Sequence, residues 1–431
     1  MECHPPLGKL LIALGEVLLS PNGDTTPFAG VEAIKELPAN LKVGGFRLFP
    51  TLAGWLATLV VFLFSLTLSR SPWLALVCSA PILFDNATIV HSRAAMLDSF
   101  TILFLTVVAT SFAVLVGCRD TTRASLIRRD TLAPCTLGLA VGLALATKVN
   151  TIVFFFAPAL YLYLRFIDGA RQGVTALLQI LISCGLGLCA PWLIHIWLGQ
   201  FVNPHLQNSG YYGATMSYRE VLDAGESPPT TRLPTIISDN LRFARKHHQG
   251  VPTLNQSLPG ENGSPPWHWP FGGKAIAYRW STGGEKTAYI YLQSNPAVWG
   301  LGLASILAGV FFIVFKRRIY PTHWKIAVLL FTMYVVYMGM VLTIKRVLYL
   351  YHYLIPLHIS LLLGITMLSA VWPNLTKRMK GVVTTLISTG IITCYAIFYP
   401  LTYNVPISDE HLRSLNWLPV WKLTCGKCRN Y

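Results

Sequence analysis

The 431-residue sequence predicts an all-α polytopic membrane protein, with about ten transmembrane helices, an amphipathic helix on the outer face and an outer loop region. Three observations predict it. Only 12% of the residues are charged and 53% are hydrophobic, at a mean hydropathy of +0.51. Soluble domains carry about a quarter charged residues, so a chain this long with half that share needs lipid over much of its surface. Apolar runs long enough to cross roughly 30 Å of hydrocarbon recur along the chain. Its Lys and Arg residues gather in alternate connectors. A net charge of +16 would suggest nucleic acid in a soluble protein; here the position of the charge carries the information, and no nucleic-acid partner is expected.

The elements follow in chain order. Met1-Glu2-Cys3-His4-Pro5-Pro6 is neither a basic signal-peptide start nor the head of a span, and it reads like a chain entered partway. In residues 7–19, Leu7, Leu10, Leu11, Leu14, Val17 and Leu18 keep the spacing of one helical face, with Lys9 and Glu16 on another. Pro5 and Pro6 sit where a helix start tolerates them. This is an interfacial amphipathic helix. Spans are expected near 48–69, 71–90, 94–116, 132–148, 150–166, 174–198, 295–315, 324–344, 347–371 and 381–402, those in 71–90 and 132–166 being short or interrupted. Residues 199–294 are rich in Gly, Pro, Asn and Ser, with aromatic clusters such as Trp267-His268-Trp269-Pro270. They are too many for a passive connector and predict short helices and loops in a partly ordered lid at the membrane surface.

The resulting division is an outer-face juxtamembrane segment at 1–47, an N-terminal transmembrane core at 48–198, the loop region at 199–294, a C-terminal four-helix transmembrane region at 295–402 and an outer-face tail at 403–431. One set of connectors carries Arg70; Arg119, Arg123, Arg128 and Arg129; Arg165 and Arg171; Lys316, Arg317, Arg318 and Lys325; and Lys377, Arg378 and Lys380. The positive-inside rule makes this set cytoplasmic, so both termini and 199–294 face outward. Of the nine cysteines, Cys78, Cys184, Cys189 and Cys394 read as small core residues. Cys425 and Cys428 form a lone C-x-x-C, read as a disulfide or free thiols before a metal site.

The outward basic residues are the ones the charge bias does not explain. Phe84-Asp85-Asn86 leads to His91-Ser92-Arg93, with Asp98 inside the next span; ionisable groups at membrane depth are candidates for function. An Arg beside a His at a membrane edge suits a lipid-linked phosphate, because guanidinium grips phosphate oxygens in a bidentate fork. The plainer alternative pairs Arg93 with Asp85 or Asp98 for helix packing. Lys148, and Lys345-Arg346 ahead of Tyr349, Tyr351, His352 and Tyr353, face the same side. Each alone is a snorkelling residue; together they suggest one anionic head group. His4 with Lys9, and Arg47, add polar groups there. The chain has no P-loop, dinucleotide turn, H-E-x-x-H or nucleophile elbow, and no metal site or cofactor is expected beyond a lipid-linked sugar phosphate as donor.

These motifs, in this order, resemble those of the dolichyl-phosphate-mannose protein O-mannosyltransferases. His4-Pro5-Pro6-Leu7-Gly8-Lys9 is similar to their HPPLGK signature and Gly45-Phe46-Arg47-Leu48-Phe49-Pro50 to their GFRxxP entry to a span. Phe84-Asp85-Asn86 to Arg93 and Leu97-Asp98-Ser99-Phe100 resemble FDNxxxxQSR and LLDAF, with His91 in place of Gln. Thr147-Lys148-Val149-Asn150 resembles TKWN. Trp267-His268-Trp269-Pro270, Asn295-Pro296-Ala297-Val298-Trp299 and Tyr351-His352-Tyr353-Leu354-Ile355-Pro356 match later landmarks, so the resemblance covers about residues 4–371.

It implies a C-type, lipid-donor glycosyltransferase whose N-terminal part is like that of the ArnT enzymes. Such enzymes move mannose from a polyprenyl phosphate to Ser or Thr hydroxyls on the outer face. Arg93 then matches the family's loop arginine, and Lys148, Arg346 and His352 fall near its donor pocket, with His4, Lys9, Arg47, His91 and Asp98 in support. The family's catalytic acidic pair belongs upstream of the His-Pro-Pro element, after a first helix. Neither is in this sequence, and Glu2 stands where an Asp is usual. The catalytic residues are therefore unknown, and the chain is expected to be a truncated or inactive form. Alternatives are a non-catalytic paralogue that binds lipid-linked sugar or partners an active subunit, and a related transferase acting on lipid or glycan. Expected partners are membrane lipid, the donor, an acceptor protein and a second copy or homologous chain. Asn86-Ala87-Thr88 and Asn255-Gln256-Ser257 are sequons that suit an endoplasmic reticulum membrane, a bacterial plasma membrane being the alternative.

Overall fold

The computed structural model describes residues 4–19, 22, 41–117, 128–199, 209–225, 228, 230–258 and 260–423. Arg119, Arg123, the side chains of Arg128 and Arg129, and the Cys425/Cys428 pair lie outside the described residues.

Among those described, eight helices are long and apolar enough to cross a membrane: Gly44–Ser69, Asp98–Gly117, Val149–Asp168, Ala170–Leu198, Pro296–Phe315, Pro321–Thr343, Leu350–Asn374 and Lys377–Thr402. Pro72–Leu83 with Asn86–Ser92 makes a further span bent by 68°, and Asp130–Leu145 is a shorter apolar helix. Every expected run is thus found, and the two interrupted stretches are where the helices bend or shorten. The chain is an all-α, multi-pass membrane protein.

Local chemistry sets the helix starts. After the interfacial helix α1 (Leu7–Leu19), α2 (Gly44–Ser69) leads to α3 (Pro72–Leu83), where Ser71 caps the backbone N–H of Leu74 at 3.3 Å and Pro72 occupies the first turn. The bend before α4 (Asn86–Ser92) comes from Asp85. Its Oδ2 accepts from the Thr88 N–H at 2.9 Å and hydroxyl at 2.6 Å, so Asp85 starts a new helix instead of continuing the old one. Oδ1 accepts from the Asn295 N–H and the Trp299 indole, both at 3.1 Å. The Asn295 amide returns a bond of 2.8 Å to the Phe84 carbonyl and caps α11 (Pro296–Phe315). The Phe-Asp-Asn stretch therefore joins the two halves of the chain.

α5 (Asp98–Gly117) packs on α2 and on α6 (Ala133–Leu145). The short α6 is followed by a 3-10 turn, Val149–Phe155, then α7 (Phe156–Asp168) and α8 (Ala170–Leu198). α6 and α8 approach through glycines: a Cβ on Gly138 would lie 2.6 Å from the Ile180 carbonyl oxygen, and one on Gly187 2.7 Å from that of Leu139. Small residues let helices in lipid pack backbone to backbone. In the C-terminal half, α13 (Leu354–Val371) is the most enclosed helix and packs between α11 and α12 (Pro321–Thr343), while α14 (Lys377–Thr402) lies at the edge. Cys189, expected in the core, is exposed on α8, on a face that Leu186 and Leu193 also leave open.

The outer region holds more regular structure than its composition announces. α9 (Met216–Ala224) and α10 (Leu233–Gly250) pack on the end of α8 through Ile196, Tyr218, Val221, Leu222 and Ile236. Beyond them, β1 (Ile276–Gly283) and β2 (Lys286–Leu292) form an antiparallel hairpin that short helices and loops did not anticipate. Gly284 opens its two-residue turn at φ +61°, which glycine supplies without strain. β3 (Pro406–Ile407) pairs with β2, and the tail packs Leu412, Leu415 and Trp421 against Tyr289 and Phe398.

Candidate functional site

The site begins at the break between α6 and α7. Lys148 is in extended backbone, φ −151° and ψ 134°, and its Nζ donates to Asp98 Oδ1 at 2.6 Å. Asp98 opens α5, where the helix N-terminus favours a carboxylate. Its Oδ2 accepts from His91 Nε2 at 2.9 Å, and His91 Nδ1 lies 2.7 Å from the Tyr278 hydroxyl of β1. Since a carboxylate only accepts, Nε2 carries the proton, and in the neutral ring Nδ1 accepts from Tyr278. Burial, and then the nearby Asp98, pushes the Tyr278 phenol well above its ordinary 10, so it keeps the proton it donates. Asp98, His91 and Lys148 are 3%, 1% and 7% exposed. Such a depth requires pairing.

Aromatic rings complete the wall. Tyr351 stacks on His91 at 5.4 Å and on His352 at 4.5 Å, and Lys148 Nζ is 5.5 Å from the Tyr351 ring centre. Trp269, fully buried, also stacks on His352, at 6.1 Å. The Tyr337 hydroxyl donates to the His352 carbonyl at 3.0 Å and accepts from the Asn150 amide at 2.8 Å.

Lys148 and His352 open onto a cavity of about 800 Å³. His4, Arg245, His248, Lys345 and Arg346 line it together with apolar Val149, Ile152, Met340, Val341 and Ile344, and Val149, Ile152 and Ile344 are exposed. No Asp or Glu is among the described residues that line it. His4 stands 5.7 Å from His248, ring to ring. Burial above all, with Lys148, His248 and Lys9 adding to it and Asp98 opposing, lowers its imidazole from 6.5 to about 4. Arg346 is fixed by a β-bridge to Thr253, and the Val347 N–H donates to the Pro252 carbonyl at 2.8 Å. The stretch after α10 is thereby stitched to the stretch before α13.

Of the residues named from sequence, His4, Lys148, Arg346 and His352 share this cavity, and His91 and Asp98 stand behind Lys148. Lys9, half-buried on α1, and Arg47, exposed in the first turn of α2, do not line it. Nor does Arg93, which donates to the Thr402 carbonyl at 3.3 Å and lies 4.8 Å over the Tyr403 ring. Arg93 pairs with neither Asp85 nor Asp98; its contact is with the end of α14. The Asn86 sequon is closed: Asn86 is buried and its amide donates to Thr402 Oγ1 at 2.7 Å. Asn255 is exposed.

Arg245, His248 and Tyr278 were not singled out from the sequence, and Trp269 was named only within its aromatic cluster and not as a site residue. A signal existed for the first two. The last turns of α10 gather Arg242, Arg245, Lys246, His247 and His248 on the outer side, where charge bias does not call for them.

Two family models match. Residues 1–167 fit "Dolichyl-phosphate-mannose-protein mannosyltransferase", and residues 243–421 fit "C-terminal four TMM region of protein-O-mannosyltransferase". The polyprenol-phosphate-mannose–protein mannosyltransferase of Corynebacterium glutamicum is 25% identical over 97% of this chain and 81% of that protein. Its namesake from Mycobacterium tuberculosis is 24% identical with the same coverage. The solved Saccharomyces cerevisiae protein O-mannosyltransferase Pmt1–Pmt2 complex bound to the sugar donor shares the fold, with a TM-score of 0.71 at 13% identity over 98% of this chain and 86% of that one. The motifs, the array of spans and both halves of the sequence lead to one assignment: the chain belongs to the protein O-mannosyltransferase family.

Proposed function

We propose that the chain transfers mannose from a polyprenyl phosphate to Ser or Thr hydroxyls of proteins at the outer membrane face. The observation that carries this is the cavity itself. Its lining sets cationic side chains beside exposed apolar ones, which suits a donor whose head is a phosphodiester and whose tail is an isoprenoid. Relatives of the same family bear the name of this reaction in bacteria.

The chemistry is a displacement at the sugar. The acceptor oxygen bonds to the anomeric carbon, the bond from that carbon to the phosphate oxygen breaks, and the phosphate gains a second negative charge as it leaves. Fixed cations stabilise that charge most where water is scarce. Lys148, Arg346 and His352, with His4 beside them, are proposed as donor-phosphate residues. His91 and Asp98 hold Lys148 in place. Arg93 keeps its proposed role only if the donor reaches the end of α14. The acceptor proton needs a base, and Asp85 and Asp98 are both committed to the bonds described above, so neither is assigned to it. We further propose that the chain works beside a second copy or a homologous chain, as the yeast pair suggests.

The absence of acidic residues among the described cavity lining favours one second reading, a paralogue that binds the donor without transferring it. Sealed membranes containing the chain, given radiolabelled polyprenyl-phosphate mannose and a Ser/Thr-rich peptide, separate the two. Label on the peptide is expected. Donor retained without transfer supports the binding reading, and neither retention nor transfer overturns both.

A further inference from the structure

We infer that Arg245, on the outer helix α10, is a ligand of the donor's phosphate, facing it across the cavity mouth from Arg346. This rests on the donor-cavity reading above. Several cations near the cavity are already engaged. Lys148 is charge-compensated by Asp98 at 2.6 Å, and Arg93 is directed to Thr402 and Tyr403. The His352 Nδ1 lies 3.0 Å from the Tyr349 carbonyl, and its ring stacks with both Tyr351 and Trp269. A phosphodiester that becomes a dianion on leaving needs positive charge that no carboxylate already answers.

Among the described residues, the cavity-lining side chains without a carboxylate in ion-pair range include Arg245, Lys345 and Arg346. Lys345 and Arg245 are both exposed and Arg346 is half-buried, but Lys345 presents only a point charge. Arg245 and Arg346 offer planar forks suited to two phosphate oxygens each. Both are also mounted on fixed backbone. α10 is anchored by Ile236 in the cluster with α8, and Asp239 Oδ2 accepts from the Thr215 N–H at 2.9 Å at the start of α9. Past its C-terminus, the Pro252 and Thr253 contacts tie it to the segment bearing Arg346. The two guanidinium groups thus enter one cavity from two segments held together at their bases. Lys246, next on α10, is exposed and does not line the cavity.

Binding of polyprenyl-phosphate mannose to the full chain in lipid nanodiscs tests the assignment. Arg245→Ala is expected to weaken it by about ten- to a hundred-fold, the loss of a charge-assisted pair. Arg245→Lys should recover part of the loss and Lys246→Ala should lose nothing. Equal binding by Arg245→Ala and the parent overturns the inference while leaving the donor reading intact. Equal losses from Arg245→Ala and Lys246→Ala overturn it too, since they reveal a diffuse surface charge. No binding by the parent chain means that the donor reading itself has failed.

Discussion

At the residue scale, Lys148 shows how far sequence reasoning reached. Its outward position and basic character were readable from connector charge, but its partner was not. Asp98 is fifty residues away, and only the break after α6 and the start of α5 bring the two to 2.6 Å. Removing one partner of a buried pair strands the other and costs about 3–5 kcal/mol, whereas removing both costs much less. Asp98→Asn and Lys148→Met should therefore each lower the thermal midpoint in detergent more than the double variant does. Additive losses would mean that the pair is not coupled. His4 offers a second test. Its folded value of about 4 lies below the unfolded 6.5, so between those values the unfolded chain binds more protons. Stability from His4 is fully present above pH 6.5 and is lost as pH falls toward 4. His4→Gln should flatten the pH dependence of the melting temperature in that window; an unchanged slope would remove His4 from the account. The charges facing it are Lys148, His248 and Lys9, with Asp98 opposing.

At the element scale, the spans were legible because lipid imposes a length and a composition on any helix that crosses it. The hairpin was not, because its turn signal, Gly283-Gly284, sits in a segment whose Gly and Pro content masks the short alternation of Lys286–Leu292. The bend at Asp85 was half-legible: the run looked interrupted, but the cause is a capping bond that also binds α11. Helix-to-helix distance leaves a clearer mark. A Cβ on Gly142 would collide with the carbonyl of Cys184, in register with Gly138 one turn earlier. Gly142→Leu is expected to cost about 1–3 kcal/mol through overpacking, seen as a lower melting temperature and a smaller monodisperse fraction. Gly185→Ala on the facing helix, where nothing lies within 4 Å of the added carbon, should be neutral. Equal behaviour of the two would mean that α6 and α8 do not depend on close approach.

At the scale of the whole molecule, function depends on a single orientation. The cavity, the hairpin and the basic turns of α10 lie at one end of the helices, and Lys316, Arg317 and Arg318 between α11 and α12, with Lys377, Arg378 and Lys380 at the start of α14, lie at the other. That separation was the most readable global feature of the sequence, because a translocated Lys or Arg carries a cost in every connector. The donor site was less readable, since its residues come from the chain start, the α6–α7 break, α10 and the segment before α13. Orientation is directly measurable with an impermeant maleimide on sealed vesicles whose outer or luminal face is enclosed. Gln256→Cys, exposed in the stretch after α10, should stay unlabelled until detergent is added. Arg318→Cys, exposed between α11 and α12, should react at once. Both are read against the parent chain, whose own cysteines set the background. The opposite pattern would place the cavity on the cytoplasmic side. Outer-face transfer would then be impossible for this chain, whatever it binds.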